Sequence, residues 1–274
     1  MKSTTVYIIS AVRTPIGKFG GGLADFTAPD LGVVAVRAAL QRAFHGELPP
    51  ERQPGVGGKI EDSIPQANEN VVGQKSSRNA APREFPWRVD ELIFGNARPA
   101  GAGPNPARQI AWRAGLGDDV PAFTVNMACA SGLRSIMLAW QEILLGDAEI
   151  VVAGGAESMS RVPYLVEARW GVKMGNQPLV DAMYRDGFLC PISQMIMGET
   201  AEVLAQQYQI SREEQDAFAL ESHRRAARAQ REGRFSREII PVERTDKKGN
   251  VVRVDKDEHV RPEITLEQMA KLPP

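Results

Sequence analysis

The sequence predicts an α/β fold built on a mostly parallel sheet, followed by a loop-rich α+β region. Three observations carry that prediction. Short apolar runs rich in β-branched residues alternate with segments of helical period over residues 1–160, glycine- and proline-rich turns separate them, and the alternation stops after Ser160. Strands that alternate with helices of this length join as parallel neighbours, because each parallel connection has to cross back over the sheet. The expected division is therefore an α/β domain over 1–160 and a second domain over 161–274.

Residues 6–12 (Val-Tyr-Ile-Ile-Ser-Ala-Val) form an apolar run and are expected as a buried strand. Residues 13–22 continue as a loop with Pro15 and four glycines. Gly17-Lys18-Phe19 lacks the serine or threonine that completes a P-loop, so a turn without a ligand is expected there. Asp30 is expected to cap a helix reaching about Phe44, with Leu31, Val34, Leu40 and Phe44 at helical spacing. Residues 46–86 carry six prolines and no sustained period, and they are expected as a mobile surface insertion. Order resumes with a strand over 90–95, a turn over 99–106 and a helix over about 107–114. A strand over 121–127 leads into a helix over 131–145, whose apolar side would present Leu133, Ile136, Met137, Trp140 and Leu144. A strand over 149–153 ends at Gly154-Gly155.

Beyond Ser160 the pattern predicts an irregular stretch over 161–196 and helices over 199–207 and 212–232. The second helix opens on Ser211 as N-cap, with Glu214 as its capping-box partner, and stops at Gly233. Its Arg224, Arg225, Arg228 and Arg231 read as a solvated face. Residues 238–244 and 251–255 are expected to pair as a hairpin.

Composition excludes several classes. A net charge of −1 gives no long-range attraction to nucleic acid or an anionic membrane, so neither is expected as a partner. No apolar run approaches bilayer-spanning length, and the first residues carry no secretory pattern. Two cysteines do not make a disulfide framework and suit a reducing compartment, so the expected location is the cytoplasm.

The segment with chemical content is Asn126-Met127-Ala128-Cys129-Ala130-Ser131-Gly132, where an apolar strand gives way to a helix. Small residues around Cys129 allow a sharp turn and close approach of a substrate, and the helix directs free N–H groups and its positive end toward the sulfur. A cysteine so placed can attack a carbonyl and hold the resulting oxyanion with its own N–H. The residues alone are equally consistent with a buried structural cysteine. Partner groups are not apparent. His45, His223 and His259 lie outside small-residue turns, no zinc-like ligand spacing is present, and Cys190 before Pro191 reads as inert.

The run from Ile9 through Gly21 closely resembles the opening of thiolases, the acetyl-CoA acetyltransferases and 3-ketoacyl-CoA thiolases. So do Asn105-Pro106-Ala107-Arg108-Gln109, the segment around Cys129, and Gly154-Gly155-Ala156-Glu157-Ser158-Met159-Ser160. Met197-Gly198-Glu199-Thr200-Ala201-Glu202 and Ser211-Arg212-Glu213-Glu214-Gln215-Asp216 extend the resemblance over most of the chain. It implies a thiolase-like N-terminal domain followed by the loop domain that covers coenzyme A, with the C-terminal thiolase half absent. It also implies an enzyme in which Cys129 accepts an acyl group from acyl-CoA and passes it to a second thioester's carbanion, or to CoA in the degradative direction. Coenzyme A thioesters are then substrates, and no cofactor is expected. By the same resemblance Phe188 and Met197 line the pantetheine and acyl channel, and Arg261 meets the nucleotide end of CoA. Short-chain biosynthetic members carry a histidine where this chain has Ile196, which shifts the expected substrates toward broader 3-ketoacyl thioesters. The family's catalytic histidine and second catalytic cysteine have no counterpart in these residues. The expected partners are therefore acyl-CoA and either a homo-oligomer or a complementary C-terminal thiolase chain. The alternatives are a non-catalytic half-thiolase that binds acyl-CoA or a partner chain, and a relative of 3-ketoacyl synthases, against which the loop-domain matches weigh.

Overall fold

Three short apolar segments meet as the parallel sheet that the alternating pattern predicts. The computed structural model describes residues 5–45, 48, 50–53, 88–246 and 248–273. After helix α1 (Ala28–Phe44) come β1 (Glu91–Gly95), α2 (Pro106–Arg113), β2 (Ala122–Val125), α3 (Ser131–Leu145) and β3 (Val151–Gly155). The strands lie in the order β2-β1-β3, with β1 parallel to both neighbours. Most of the mobile insertion expected over 46–86 lies outside the described residues.

Alternation along β1 assigns the two faces of the sheet. Leu92 and Phe94 point into a core shared with Val33, Val36 and Leu40 of α1 and Ala107, Ile110 and Ala111 of α2. Full burial of each large side chain in such a core contributes about 1.5–3 kcal/mol. The opposite face of the sheet receives α3, and at the carboxyl ends of β1 and β3 both surfaces there are reduced to small residues. A Cβ built on Gly95 would lie 2.5 Å from the Ser131 carbonyl carbon, and one on Gly155 would lie 3.1 Å from the Gly132 Cα. Helix and strands therefore touch backbone to backbone. The Ser135 hydroxyl lies 2.7 Å from the carbonyl oxygens of both Gly132 and Gly154, satisfying the polar group this contact buries.

That contact corrects one expectation. Leu133, Ile136, Met137, Trp140 and Leu144 were expected on the packed side of the helix, but they face outward, with Trp140 51% exposed. The buried side of α3 carries Ser131, Ser135 and Ala139 instead. Close packing against glycine selects the small stripe, not the apolar one.

The strand expected over 6–12 is the second correction. Those residues form no ladder; only Arg13 pairs, in a parallel bridge to Ile239, and Ile8 is 80% exposed. Between residues 6–19 and β3 lies a cavity of about 1260 Å³, walled on its other sides by Ala35 and Val36 of α1 and Ile136 and Trp140 of α3. With helices from both faces of the sheet as walls, it continues the plane of the sheet beyond β3. An apolar, β-branched run signals strand propensity, but the ladder needs a neighbour, and here the neighbouring space is a cavity.

Capping also differs in detail. Thr27, not Asp30, is the N-cap of α1; Asp30 is its reciprocal partner, accepting from the Thr27 N–H at 2.7 Å. The other Asp30 oxygen receives Arg113 at 2.7 Å, which ties α1 to α2.

The later residues hold a short antiparallel pair, β4 (Tyr164–Leu165) with β5 (Val180–Asp181), then a π-helical turn at Tyr184–Phe188. Helices α4 (Met197–Tyr208) and α5 (Arg212–Arg231) follow, then the hairpin of β6 (Val242–Thr245) and β7 (Val251–Val254), and α6 (Leu266–Met269). Ser211 and Glu214 form the expected capping box of α5.

Arg13 joins this region to the start of the chain. Its Nε reaches Glu238 at 2.7 Å, and its two Nη atoms bind both Asp257 oxygens at 2.7 and 3.0 Å. The neighbouring Glu258 accepts from the Lys18 N–H at 2.9 Å and from the Gly22 N–H at 3.0 Å. Burial opposes ionisation of Asp257, yet the Arg13 fork and the Ile16 N–H hold its carboxyl below the usual carboxylate range. Burial likewise opposes ionisation of Glu258, and the Lys18 and Gly22 N–H groups lower it.

Two predictions follow from this packing. Gly95→Ala should lower stability by about 1–3 kcal/mol, because backbone cannot move out of the way, whereas Gly198→Ala, whose Cβ meets nothing within 4 Å, should not; thermal unfolding of both variants checks this. Carboxyls depressed in the folded state stabilise above their unfolded pKa and lose that contribution as pH falls through the folded value. The unfolding midpoint should therefore drop between about pH 5 and pH 3, and Asp257→Asn should show a shallower drop than the parent chain.

Candidate active site at the carboxyl ends of the strands

Ligand sites in open parallel sheets form beyond the carboxyl ends of the strands, where successive loops converge. Here those loops are Asn96–Arg98 after β1, Asn126–Ala130 after β2, and Ala156–Ser158 after β3. Each carries a polar side chain that binds one of the other loops.

Cys129 is exposed and sits in the turn between β2 and α3. Ala128 before it adopts φ 49°, a left-handed conformation that a residue with a Cβ rarely takes. Two side chains hold it there. The Asn126 Oδ1 accepts from the Ala128 N–H at 3.0 Å. The buried Ser131 hydroxyl accepts from the Met127 N–H at 2.8 Å and donates to the Ala128 carbonyl at 2.6 Å. Ala130 caps α3 without a side-chain hydrogen bond, so no side-chain acceptor competes at the end of the helix nearest the thiol.

The remaining loops are fastened by Glu157. Its Oε1 accepts from Asn96 Nδ2 at 2.9 Å and the Arg98 N–H at 3.1 Å, and its Oε2 accepts from the Ala97 N–H at 2.8 Å. Asn126 Nδ2 donates to the Ala97 carbonyl at 3.2 Å, which links this group to the cysteine turn. The sequence reading singled out Cys129 in this cluster and missed Asn96, Asn126, Ser131 and Glu157. The available signal was a polar residue at or just past the end of each of three successive strands.

The other expected site residues are dispersed. Phe188 ends the π-helical turn, lines the cavity beside β3, and lies under the Arg98 guanidinium, 5.2 Å from its ring centre. Met197 is the first residue of α4 and is 46% exposed. The Arg261 N–H donates to His223 Nδ1 at 3.2 Å. None of these contacts includes Cys129, and Cys129, Met197 and Arg261 are absent from the cavity wall. His45 terminates α1 in a left-handed conformation, and His259 is exposed at the cavity. Among the described residues no group of His, Cys, Asp and Glu could hold a metal ion. The Cys190 thiol is held below its usual range first by the Ser193 hydroxyl and then by the Ser193 and Ile192 N–H groups.

Comparison with known proteins identifies the family. The family described as Thiolase, N-terminal domain, matches residues 6–51 and 82–274. The chain belongs to the thiolase family. A Staphylococcus aureus (strain COL) protein named "Probable acetyl-CoA acyltransferase" is 43% identical over 272 residues, covering 99% of this chain and 59% of that relative. A Staphylococcus epidermidis (strain ATCC 12228) protein of the same name is 42% identical over 270 residues, covering 98% of this chain and 59% of that relative. This thiolase chain therefore spans 59% of the length of the curated relatives it matches.

The turn yields two expected outcomes. Ala128→Gly removes the Cβ from a left-handed position and should raise stability by up to about 1 kcal/mol. Ser131→Ala removes the acceptor of the Met127 N–H and the donor to the Ala128 carbonyl and should lower stability by about 0.5–1.5 kcal/mol. Denaturant unfolding of the two variants measures both.

Proposed function

We propose that the chain performs the acyl-accepting half of a thiolase reaction, as part of an acyl-CoA C-acyltransferase. The observation that carries this reading is the exposed Cys129 on a constrained strand-to-helix turn, within a sequence 43% identical to proteins named as acetyl-CoA acyltransferases. The Cys129 sulfur attacks the thioester carbonyl of an acyl-CoA, the bond to the CoA sulfur breaks, and CoA leaves as its thiol with the proton from Cys129. The Cys129 N–H and the first turn of α3 stabilise the oxyanion formed on the way. A second thioester's carbanion, or CoA in the reverse direction, then removes the acyl group.

In this reading residues 1–160 are the thiolase N-terminal domain and residues 161–274 the loop domain that covers CoA. Phe188 and Met197 face the pantetheine and acyl chain, and Arg261 meets the nucleotide. Ile196 in place of a histidine favours 3-ketoacyl thioesters broader than acetoacetyl-CoA. The chemistry uses coenzyme A thioesters as substrates and needs no resident cofactor. No helix among the described residues is long and apolar enough to cross a membrane, and both cysteines are free, which supports a cytoplasmic setting.

Completion of the cycle requires a proton-transfer group at Cys129, and no described histidine is hydrogen-bonded to it. The cavity beside β3 and the exposed apolar side of α3 support completion by further thiolase sequence, in a complementary chain or an oligomer. The same two features support the second reading, a half-thiolase that binds acyl-CoA or a partner chain without turnover.

Incubation with acetyl-CoA followed by intact-mass measurement should show one acetyl group per chain, absent in Cys129→Ser and removed by added CoA. A folded chain that takes up no acetyl group overturns the acyl-acceptor assignment and leaves the non-catalytic reading. Residues 1–274 alone should not thiolyse acetoacetyl-CoA, and measured turnover would show that no complementary group is needed.

A further inference from the structure

We infer that Glu157 is a positioning residue for Cys129: its carboxylate fixes residues 96–98 and, through Asn126, the turn that aims the thiol. The inference rests on the reading of Cys129 as the acyl acceptor, and it adds a residue that touches neither substrate nor sulfur.

The first link is at the end of β1. The Ala97 and Arg98 N–H groups have left the ladder, whose last bond runs from the Asn96 N–H to the Val125 carbonyl at 3.1 Å. Glu157 supplies their acceptors. Three N–H groups converge on its two oxygens at 2.8–3.1 Å, a pattern that requires acceptors on both sides of the carboxyl carbon. A carboxamide in its place would turn an NH₂ toward at least one of these donors.

The second link runs from Ala97 to the thiol. With Ala97 held, its carbonyl receives Asn126 Nδ2 and sets the plane of that amide. The opposite end of the amide then accepts from the Ala128 N–H, which helps keep Ala128 at φ 49°. A left-handed alanine relaxes when it loses a partner, and relaxation there swings the next residue, Cys129, away from the N-terminus of α3. The Ser131 hydroxyl is an independent hold on the same turn, so removing Glu157 should loosen the turn without abolishing it. The same carboxylate fixes the Arg98 backbone, and Arg98 covers Phe188.

Iodoacetamide alkylation of the full chain tests this, with each cysteine followed separately by peptide mass spectrometry. Cys190 is the internal reference, because its loop closes on itself through the Cys190 N–H to Met195 and the Gln194 N–H to Cys190, both at 2.8 Å. Glu157→Gln should slow Cys129 about two- to five-fold, the size of a helix-terminus effect, and leave Cys190 unchanged. Glu157→Asp keeps both acceptor oxygens and should recover part of the loss. Because the effect passes through Asn126, the double variant Glu157→Gln/Asn126→Ala should be no slower than Asn126→Ala.

Three outcomes overturn the inference: an unchanged Cys129 rate in folded Glu157→Gln, equal changes at both cysteines, or losses that multiply in the double variant. Should Glu157→Gln fail to fold, Asn126→Ala decides, since Asn126 is exposed and an unchanged Cys129 rate there removes the link. A Cys129 rate that responds to Glu157 in a chain that takes no acetyl group from acetyl-CoA supports the positioning role and overturns only the acyl-acceptor reading.

Discussion

The backbone contact between α3 and the sheet is the constraint on which the rest of the site depends. Gly95, Gly155 and Gly132 bring helix and strand backbone into contact, and Ser135 satisfies the Gly132 and Gly154 carbonyls that the contact buries. A helix held this close has little freedom to slide or rotate. Its N-terminus is therefore fixed relative to the ends of β1 and β3, and so is the turn that carries Cys129. The large apolar side chains of α3 are left pointing outward.

Above that contact lies a polar layer. Asn96, Asn126 and Glu157 come from three loops far apart in sequence, and each makes a hydrogen bond to another loop's backbone. Short loops at the carboxyl edge of a parallel sheet leave backbone groups without ladder partners, and these side chains supply them. The left-handed Ala128 is sustained by the same layer. Strain at the cysteine turn and hydrogen bonding around it belong to one arrangement, in which the rigid elements below fix the loops above.

Much of this was legible in the chain because the relevant signals are local. The helix over 131–145 and the capping box of α5 depend on residues a turn apart, and the structure has both. Cys129 stood out because small residues, a strand end and a helix start coincide at one point. Non-local outcomes were harder to read. Residues 6–12 have the composition of a strand, but pairing depends on what lies beside them. The apolar side of α3 has the period of a buried face, but glycines 95 and 155 decide which side packs. Glu157 sat inside a quoted motif without an assigned role, because its partners Ala97 and Arg98 lie about sixty residues upstream.

The Arg13 clamp has a consequence for synthesis. Its partners Glu238 and Asp257 follow it by 225 and 244 residues. At about 5–20 residues per second, roughly ten to fifty seconds pass between translation of the arginine and of its acceptors. Through that interval Arg13 has neither carboxylate, although all three strands of the sheet are translated before it ends. Contacts of such long sequence separation form late and slowly. The segment that carries Arg13 thus waits for residues near the far end of the second region, and its neighbours Tyr7, Ile8 and Ile9 stay exposed even after the clamp has formed.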